Sequence, residues 1–543
     1  MRIISLSRFL AEALRQARDG RLSLLAGAGV SMVPPTCLAS AMQLKRLAVS
    51  SLCDTPGLRL YRRKVMLSPR FDSLVLEILF QRFYESFGSR LFSFFDVLAD
   101  AEPNLVHTVV AELQQKFAIP VVTTNFDTLV ERQQESPRPV LHLHGELGDR
   151  EQMVVRINQV GKGLPTGLVR NAGRCIRGRV LLVLGYSGSD EDVRVLLRRC
   201  RPARVLWLVR VRGDLALQNI QRSFKGFDVA VAFGDLGLVS RRIAARVRVE
   251  SALTRLGMRR GGGKMHFSWG RRLTLDERYM ALSEVMMDIE SYRLAAEVAL
   301  AGYRRCRVLE RRARFLIQAA GAYKVLADTP AAIGWAKKGL ALARKSRDSW
   351  AIAAALNTHG LALLEQHETD PARALPLFRR AGAAISSALR ERRSPEVRER
   401  MRGFAARVFN NLGLALMQLR RDAKAEQAFM GSLAFKRQSG DIIGMATTAA
   451  NLARLKYRRR EHGPAHKWKW RCLYLVERYD RKFTKAYLLR SLGGIACEQG
   501  RTKVGMRSLK AALGIYQDLL GDGLGVRLTK EIMARFRKRG GTR

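Results

Sequence analysis

The chain has 543 residues, and 96 Lys or Arg against 48 Asp or Glu give it a formal net charge of +48. At this length we expect two to four domains, and a hydrophobic fraction of 47% excludes a largely disordered chain. No apolar run approaches the ~18 residues of a membrane span, and the first residues show no cleavable signal pattern. The sequence therefore predicts a cytoplasmic protein that does not contact a membrane.

The positive charge is uneven along the chain. Residues 1–250 carry 37 basic and 23 acidic side chains, whereas residues 251–543 carry 59 and 25. Because the basic side chains are spread along many predicted helices, we interpret them mainly as an Arg-rich solvated surface. Binding of nucleic acid or of an acidic protein is the less favoured alternative. The seven cysteines form no CxxC pair, which argues against a structural zinc site or a redox dithiol.

Short apolar runs rich in Val, Leu and Ile alternate with amphipathic segments in the first 250 residues. Such runs are typical of strands buried on both faces of a parallel sheet, and segments such as Val106–Gln115 and Glu191–Arg199 have a helical period. We therefore predict a doubly wound, Rossmann-like α/β domain over residues 1–250. The predicted strands are Leu22–Ala26, Ile119–Thr123, Val140–His144, Val180–Gly185, Val205–Val211 and Val229–Phe233.

Two segments interrupt or end this alternation. Residues 40–100 contain bulky, aromatic stretches of helical period at Phe71–Phe83 and Leu91–Leu98, which predict a helical insertion packed over the sheet. Residues 251–272 are rich in Gly and Arg and have no apolar period, so they predict a linker.

Residues 273–540 repeat at an interval of 40. Asn411-Leu412-Gly413 recurs as Asn451-Leu452-Ala453 and then as Ser491-Leu492-Gly493. The spacing of Leu412, Gly413, Leu416, Ala425 and Phe429 resembles a lengthened tetratricopeptide pattern. We predict an all-α solenoid of five or six hairpins, whose concave surface could hold a protein partner.

Two motifs follow the predicted strands of the first domain. The turn Gly27-Ala28-Gly29, followed by Ser31, lets backbone N–H groups approach a phosphate, although Gly-Ala-Gly is also a common tight turn. Thr124, Asn125 and Asp127 stand at the carboxyl end of another buried strand, where open parallel sheets bind ligands. The alternative for Asp127 is that it caps a helix over Thr128–Gln133.

Two further motifs follow later strands. His142 and His144 share one strand face, but no third ligand is near them in the sequence, so we predict no metal site. A buried core histidine is the alternative. Gly185 and Ser187 suit a phosphate or a ribose, and the alternative is a helix cap at Ser189.

Taken together, the four motifs resemble the sirtuin superfamily. GAGVS, TTNFD, HLHG and GYSGSD occur in that order over residues 27–190, and Pro103-Asn104 with His107 also match. The four-cysteine zinc module of protein-deacylating sirtuins is absent, since only Cys175 lies between His144 and Gly185, and Val33-Pro34-Pro35-Thr36 replaces their GIPxFR sequence. The pattern is more similar to bacterial sirtuin-like NAD hydrolases of anti-phage defence, which often carry a helical sensor.

The resemblance implies a role for each matching residue. Gly27, Ala28, Gly29 and Ser31 would lie at the pyrophosphate of NAD, and Gly185 and Ser187 at its adenosine half. Asn125, beside Thr124, would position the nicotinamide ribose and the attacking water. Asp127 would lie near the carboxamide, and His144 would act as a base.

The function expected from this resemblance is a regulated NAD hydrolase of abortive infection. The trigger would be an unknown protein, phage-derived in this hypothesis, that binds the repeats, and by analogy the effector would form homo-oligomers. One alternative is an NAD-dependent deacylase or ADP-ribosyltransferase. Another is a non-catalytic scaffold that binds NAD or nucleic acid.

Overall fold

Seven parallel strands form one sheet in the N-terminal half of the protein. The structure is a computed structural model that describes residues 1–224, 226–247, 269–364, 371–391, 394–478, 482–520 and 524–540. The strands are β1 (Arg2–Ile3), β2 (Leu22–Ala26), β3 (Val121–Thr123), β4 (Val140–His142), β5 (Val180–Leu184), β6 (Arg204–Val209) and β7 (Val229–Phe233).

The strand order is β1-β7-β6-β5-β2-β3-β4, and every neighbouring pair is parallel. Counted from β2, this is the doubly wound order of a Rossmann fold, in which the direction of strand addition reverses between two central strands. Here it reverses between β2 and β5. The predicted fold class is therefore confirmed. Strand β1 was not predicted because it has only two residues, both exposed, and so shows no apolar pattern.

The sheet is covered on both faces, as its apolar strands require. Neighbouring residues of one strand point to opposite faces, so Leu24 packs in one core and Leu25 in the other. Leu182 and Val183 divide in the same way on β5. All five residues of β2 and of β5 are buried, which explains why these strands appear in the sequence as unbroken apolar runs.

Helices connect the strands and form the insertion. Predicted Val106–Gln115 and Glu191–Arg199 correspond to α6 and α9 below. The helices are α1 (Leu6–Arg18), α2 (Ala41–Leu52), α3 (Pro56–Met66), α4 (Pro69–Ser73), α5 (Leu76–Phe87), α6 (Leu105–Phe117), α7 (Ile157–Lys162), α8 (Thr166–Ile176), α9 (Glu191–Cys200), α10 (Leu215–Ser223) and α11 (Leu236–Val247). Short 3-10 helices span Ala28–Val30, Gly88–Leu98, Glu131–Gln133 and Trp269–Arg272.

The chain divides into two compact units whose boundaries differ from those expected. The sheet unit comprises residues 1–48, 92–155 and 163–268, and the helical unit comprises residues 49–91, 156–162 and 269–543. Most of the insertion, residues 49–91, therefore clusters with the repeat helices, and its predicted packing over the sheet stays a prediction. An apolar helix face indicates that it is covered, but not by which partner.

Paired helices make up the C-terminal half. Within the described residues we find six consecutive pairs and a final helix, which is in line with a tetratricopeptide-like solenoid. The pairs are Leu275–Asp288 with Tyr292–Arg305, Leu309–Val325 with Thr329–Lys345, Ser349–Leu364 with Pro371–Arg390, Pro395–Gln418 with Asp422–Ser439, Ile442–Arg458 with His462–Arg478, and Lys482–Glu498 with Thr502–Leu520; Leu524–Gly540 follows.

Small residues let the two helices of a pair approach closely. A Cβ at Gly413 would lie 2.6 Å from the Phe429 ring, and a Cβ at Gly360 would lie 2.9 Å from the Phe378 ring. Both phenylalanines are fully buried. At Gly413 and Gly360, therefore, an aromatic ring of the second helix packs directly on the backbone of the first, whereas Gly493 lies against Gly505 and Leu509 instead.

The expected linker is described only at its end. Residues 251–268 lie outside the described residues, while Trp269 is buried and packs 5.5 Å from the Phe83 ring and 5.6 Å from the Phe87 ring, between ring centroids. Among the helices of the described residues, none combines the length and apolarity needed to cross a membrane.

Candidate functional site

The carboxyl ends of β2, β3, β4 and β5 carry the residues of the four motifs that the sequence singled out. In an open α/β sheet, ligands bind outside these ends, at the point where the strand order reverses. That point lies between β2, which is followed by Gly27, and β5, which is followed by Gly185. Strand β3 pairs with β2, and β4 with β3, so the loops with Asn125 and His144 follow on one side.

The glycine turn packs directly on the loop after β5. The Gly27 N–H donates to the Leu184 carbonyl at 3.0 Å, and the Gly29 N–H donates to the Gly185 carbonyl at 2.8 Å. A Cβ at Gly29 would lie 2.7 Å from Gly185 Cα, so no side chain fits there. These two N–H groups are thus already used in hydrogen bonds to the backbone of the protein. Because the glycines have no side chains, the turn and the loop after β5 can approach each other closely. Ala28, which is exposed, lies at the tip of the turn.

A buried hydrogen-bond relay begins behind this turn. Asn104 caps α6, and its side-chain amide donates to the carbonyls of Val30 and Val33, both at 2.8 Å. The Asn104 backbone N–H donates to His107 Nδ1 at 3.0 Å. Because Nδ1 accepts this bond, the proton of the neutral ring is on Nε2. Burial lowers the pKa of His107 to about 3, so the imidazole stays neutral.

The Ser31 hydroxyl accepts a hydrogen bond from His107 and donates one to the carboxylate of Asp127. His107 Nε2 lies 3.0 Å from Ser31 Oγ, and Ser31 Oγ donates to Asp127 Oδ2 at 2.9 Å. Asn125 Nδ2 donates to Ser31 Oγ at 3.0 Å and to Asp127 Oδ2 at 3.3 Å. All four side chains are buried. Burial raises the pKa of Asp127 above its ordinary value, although the bond from Ser31 opposes this.

The orientation of Asn125 leaves one polar atom without a partner. Both neighbours of its amide nitrogen accept hydrogen bonds, so Nδ2 faces Ser31 and Asp127 and Oδ1 faces away. Oδ1 is buried and has no hydrogen-bond partner, although Asn125 is only 7% exposed. A buried polar atom is rarely left unsatisfied in a native fold, so Oδ1 is the strongest local indication of a bound ligand.

His142 is held between two acceptors. Its Nδ1 lies 2.9 Å from the Asn125 carbonyl oxygen, and its Nε2 lies 2.7 Å from Glu131 Oε1. Burial works against the charged ring, but the bonds to Glu131 and to Asn125 raise the pKa of His142 above its ordinary value. His142 therefore fixes the loop that carries Asn125, a role that the sequence did not predict.

His144 is paired with an acid from another element. Its Nε2 lies 3.1 Å from Asp192 Oδ2, in the first turn of α9, and both residues are buried. Burial opposes ionisation of Asp192, yet the hydrogen bond and charge of His144 hold the pKa of this carboxyl below its ordinary value. A histidine oriented by a carboxylate is a common arrangement for proton transfer.

The loop after β5 is also fixed from within. Ser187 Oγ lies 2.7 Å from Ser189 Oγ, and Asn219 Nδ2 donates to the Ser187 carbonyl at 2.9 Å. The N-cap of α9 is Asp190, not Ser189 as the alternative interpretation had it. Similarly, the hydrogen bond that Asp127 accepts from the Leu129 N–H is long, at 3.4 Å, and the following 3-10 helix is confined to Glu131–Gln133.

The structure thus joins Ser31, Asn125 and Asp127 in one hydrogen-bonded group and places His144 in a separate pair. Thr124 is half-buried, and its N–H donates to the Ala26 carbonyl at 3.1 Å. Sequence reasoning missed Asp192, since an acid in the first turn of a helix is already explained by the helix dipole. Across the described residues, no group of three or more His, Cys, Asp or Glu has the arrangement of a metal site.

Comparisons with known proteins identify no family. No family model and no curated protein matches the chain. Among solved structures, it is similar to a Rap protein complexed with competence and sporulation factor, with 14% sequence identity and a TM-score of 0.36 over 60% of this chain and 93% of that one.

Proposed function

We propose that the sheet unit hydrolyses NAD at the bond between nicotinamide and ribose. The observation that carries this proposal is Asn125: its amide nitrogen is fixed by Ser31 and Asp127, and its buried Oδ1 has no partner. This atom lies after β3, beside the strand pair at which a doubly wound sheet binds a dinucleotide.

The chemistry suits a fixed, polar site. Nicotinamide leaves a positively charged pyridinium as a neutral group, so the leaving group needs no proton. The ribose develops oxocarbenium character, as in glycoside hydrolysis. Asn125 Oδ1 would orient the ribose and the water, and the dipole of the amide oxygen suits positive charge at the anomeric carbon.

His144 would take the proton in this proposal. Its pairing with Asp192 at 3.1 Å holds the ring in one orientation and stabilises its protonated form. Gly27, Gly29 and Gly185 keep the two loops packed against each other. In this proposal the N–H group of Ala28, at the exposed tip of the turn, would contact the dinucleotide.

Nicotinamide release tests the proposal. Recombinant protein incubated with NAD is expected to yield nicotinamide and ADP-ribose, and Asn125→Ala to lose at least about 100-fold in kcat, a loss typical of removing an electrostatic group. Asn171→Ala, at an exposed position of α8, is the matched control and keeps full activity. A protein-bound or acyl-ADP-ribose product would instead indicate transfer or deacylation.

We propose further that the helical unit regulates this activity as part of anti-phage defence. The Val154 N–H donates to the His144 carbonyl at 2.7 Å, and two residues later the chain enters the segment 156–162 of the helical unit. A protein bound by the repeats could act on His144 through this continuous segment. Cellular NAD is expected to fall on phage challenge with the natural protein and to persist with Asn125→Ala.

A further inference from the structure

The helix His462–Arg478 exposes an unusual stripe of aromatic and basic side chains. Trp470 is 67% exposed and Tyr474 is 47% exposed. Among the described residues, these are the two most exposed tryptophan or tyrosine side chains. Lys467 and Arg471 are exposed beside them. Residues 467, 470, 471 and 474 lie on one side of a helix because they are spaced by three or four.

Packing within the repeat does not require these aromatics. The repeat interval of 40 makes Ala434 and Gly514 the equivalents of Tyr474, and Met430 and Lys510 the equivalents of Trp470. Met430 and Lys510 are also exposed, so the equivalent positions of all three helices face away from the packed core. The equivalent helices therefore form with a methionine or a lysine at the position of Trp470, and the Trp470 ring fills no space between helices.

The charged residues within the stripe are all basic, and the nearest acidic residues in the sequence are Glu461 and Glu477. No Asp or Glu occurs from residue 462 to residue 476, while Lys467, Lys469 and Arg471 lie within that span. Arg471 is placed over the Trp468 ring at 5.8 Å from its centroid, which holds the guanidinium along the same helix. A partner of this surface must be anionic and must offer flat groups to the two exposed rings.

We propose that this stripe binds single-stranded nucleic acid. Bases stack on Trp470 and Tyr474, which lie one helical turn, or about 6 Å, apart along the axis. Phosphates contact Lys467 and Arg471, as in other single-strand surfaces that combine stacking rings with cations. A duplex hides its bases and an acidic protein has none, so the paired exposed rings favour the single strand over both. This binding does not depend on NAD cleavage.

Fluorescence anisotropy of the full-length protein with a labelled oligothymidylate of about 20 nucleotides tests the proposal. The single strand is expected to bind at ~50 mM salt and to weaken strongly at ~200 mM. Trp470→Ala is expected to weaken binding about tenfold, whereas Trp470→Phe, which keeps a stacking ring, stays close to the natural protein. Met430→Ala is the matched exposed control and leaves affinity unchanged, and circular dichroism confirms that each variant is folded.

Several results overturn the proposal. They are an absence of single-strand binding at ~50 mM salt, an affinity that Trp470→Ala leaves unaltered, and equally effective competition by duplex DNA or polyglutamate, which shows attraction by charge alone. Stronger binding to phosphatidylserine vesicles than to the oligonucleotide overturns it as well, in favour of a lipid surface.

Discussion

The Ser31 hydroxyl donates a 2.9 Å hydrogen bond to the Asp127 carboxylate, joining the loop after β2 to the loop after β3. The same hydroxyl oxygen accepts from His107 and from Asn125, so all of its hydrogen-bonding capacity is used. The Ser31 side chain thereby supplies a hydrogen bond to the Asp127 carboxylate and also fixes the orientation of the Asn125 amide.

Replacing Ser31 is expected to cost stability out of proportion to its size. In Ser31→Ala, His107 Nε2–H loses its acceptor and Asp127 loses its nearest donor, and buried unsatisfied groups cost about 1–3 kcal/mol each. Urea unfolding monitored by circular dichroism measures the loss. Ser73→Ala, an exposed serine that donates to the Arg70 carbonyl, is the control and changes the free energy of unfolding little. Equal losses in the two variants would contradict the relay.

The pKa of His107 sets a pH dependence of stability. Its folded value of about 3 lies below the ordinary 6.5, so the unfolded chain binds more protons between these pH values. Stability is then fully present above about pH 6.5 and falls as pH decreases, by at most about 1.4 kcal/mol per pH unit. The raised pKa of Asp127 works in the opposite direction, its contribution declining as pH rises.

The pH prediction is measured as a difference between two proteins. The free energy of unfolding is determined between about pH 4 and pH 7 for the natural protein and for His107→Gln, which cannot titrate. The curve of the variant is expected to be flatter on the acidic side. Parallel curves would show that His107 does not remain neutral in the fold.

The sequence predicted the strands better than the site. Leu22–Ala26 and Val229–Phe233 were predicted with their observed bounds because an apolar strand buried on both faces leaves a direct pattern. Predicted Ile119–Thr123 begins two residues later, at Val121, since Pro120 has no N–H for the ladder. Local patterns of this kind need no knowledge of the partner strand.

Hydrogen-bond partners could not be derived in the same way. Motif order pointed to Asn125 and His144, but whether they shared a network depended on which strands became neighbours. In the structure, Asn125 is hydrogen-bonded to Ser31, and His144 lies within hydrogen-bond distance of Asp192, which is 48 residues away. Polar contacts of this range have no periodic signature, so only the folded chain reveals them.

Gly185 is expected to tolerate no side chain. Its φ of +64° favours glycine, and a Cβ would lie 2.5 Å from the Val30 backbone nitrogen. Gly185→Ala should lower the free energy of unfolding by more than about 2 kcal/mol, since backbone strain and a clash between two main-chain segments add. Gly173→Ala, in helix α8 with open space around it, is expected to be neutral or slightly stabilising. Thermal unfolding of both variants checks the contrast.

Asp192 is expected to act on catalysis through His144. Asp192→Asn keeps the size of the side chain but removes the charge that orients and stabilises the ring. If NAD is hydrolysed as proposed, kcat should fall by about 10²-fold, with KM little changed and the pH profile altered. Asp190→Asn, two residues earlier at the N-cap of α9, is a comparison variant for the loss of a negative charge in this loop. A similar loss of kcat in both variants would mean that charge near the helix start matters, not the pair with His144.

Helix α5 is held against the first repeat helix by a bidentate ion pair. Arg82 Nε donates to Asp288 Oδ2 at 2.7 Å, and Arg82 Nη2 donates to Asp288 Oδ1 at 3.2 Å. The Asp288 side chain is 4% exposed, and the charge of Asp288 raises the pKa of Arg82 further above its ordinary value. Within the helical unit, this pair joins α5 to the first repeat helix across 206 residues of chain.

Exchanging the two charges separates docking of the insertion from general stability. Arg82→Asp alone leaves Asp288 buried beside a like charge, and breaking such a pair is expected to cost about 3–5 kcal/mol. The double variant Arg82→Asp with Asp288→Arg should recover part of this, because attraction is restored with the partners reversed. Hydrogen exchange of residues 76–87 reports the docking itself, and exposed Arg63→Asp on α3 is the control for added negative charge. A double variant whose exchange is no slower than that of Arg82→Asp would show that apolar packing, such as Phe83 against Trp269, holds the insertion instead.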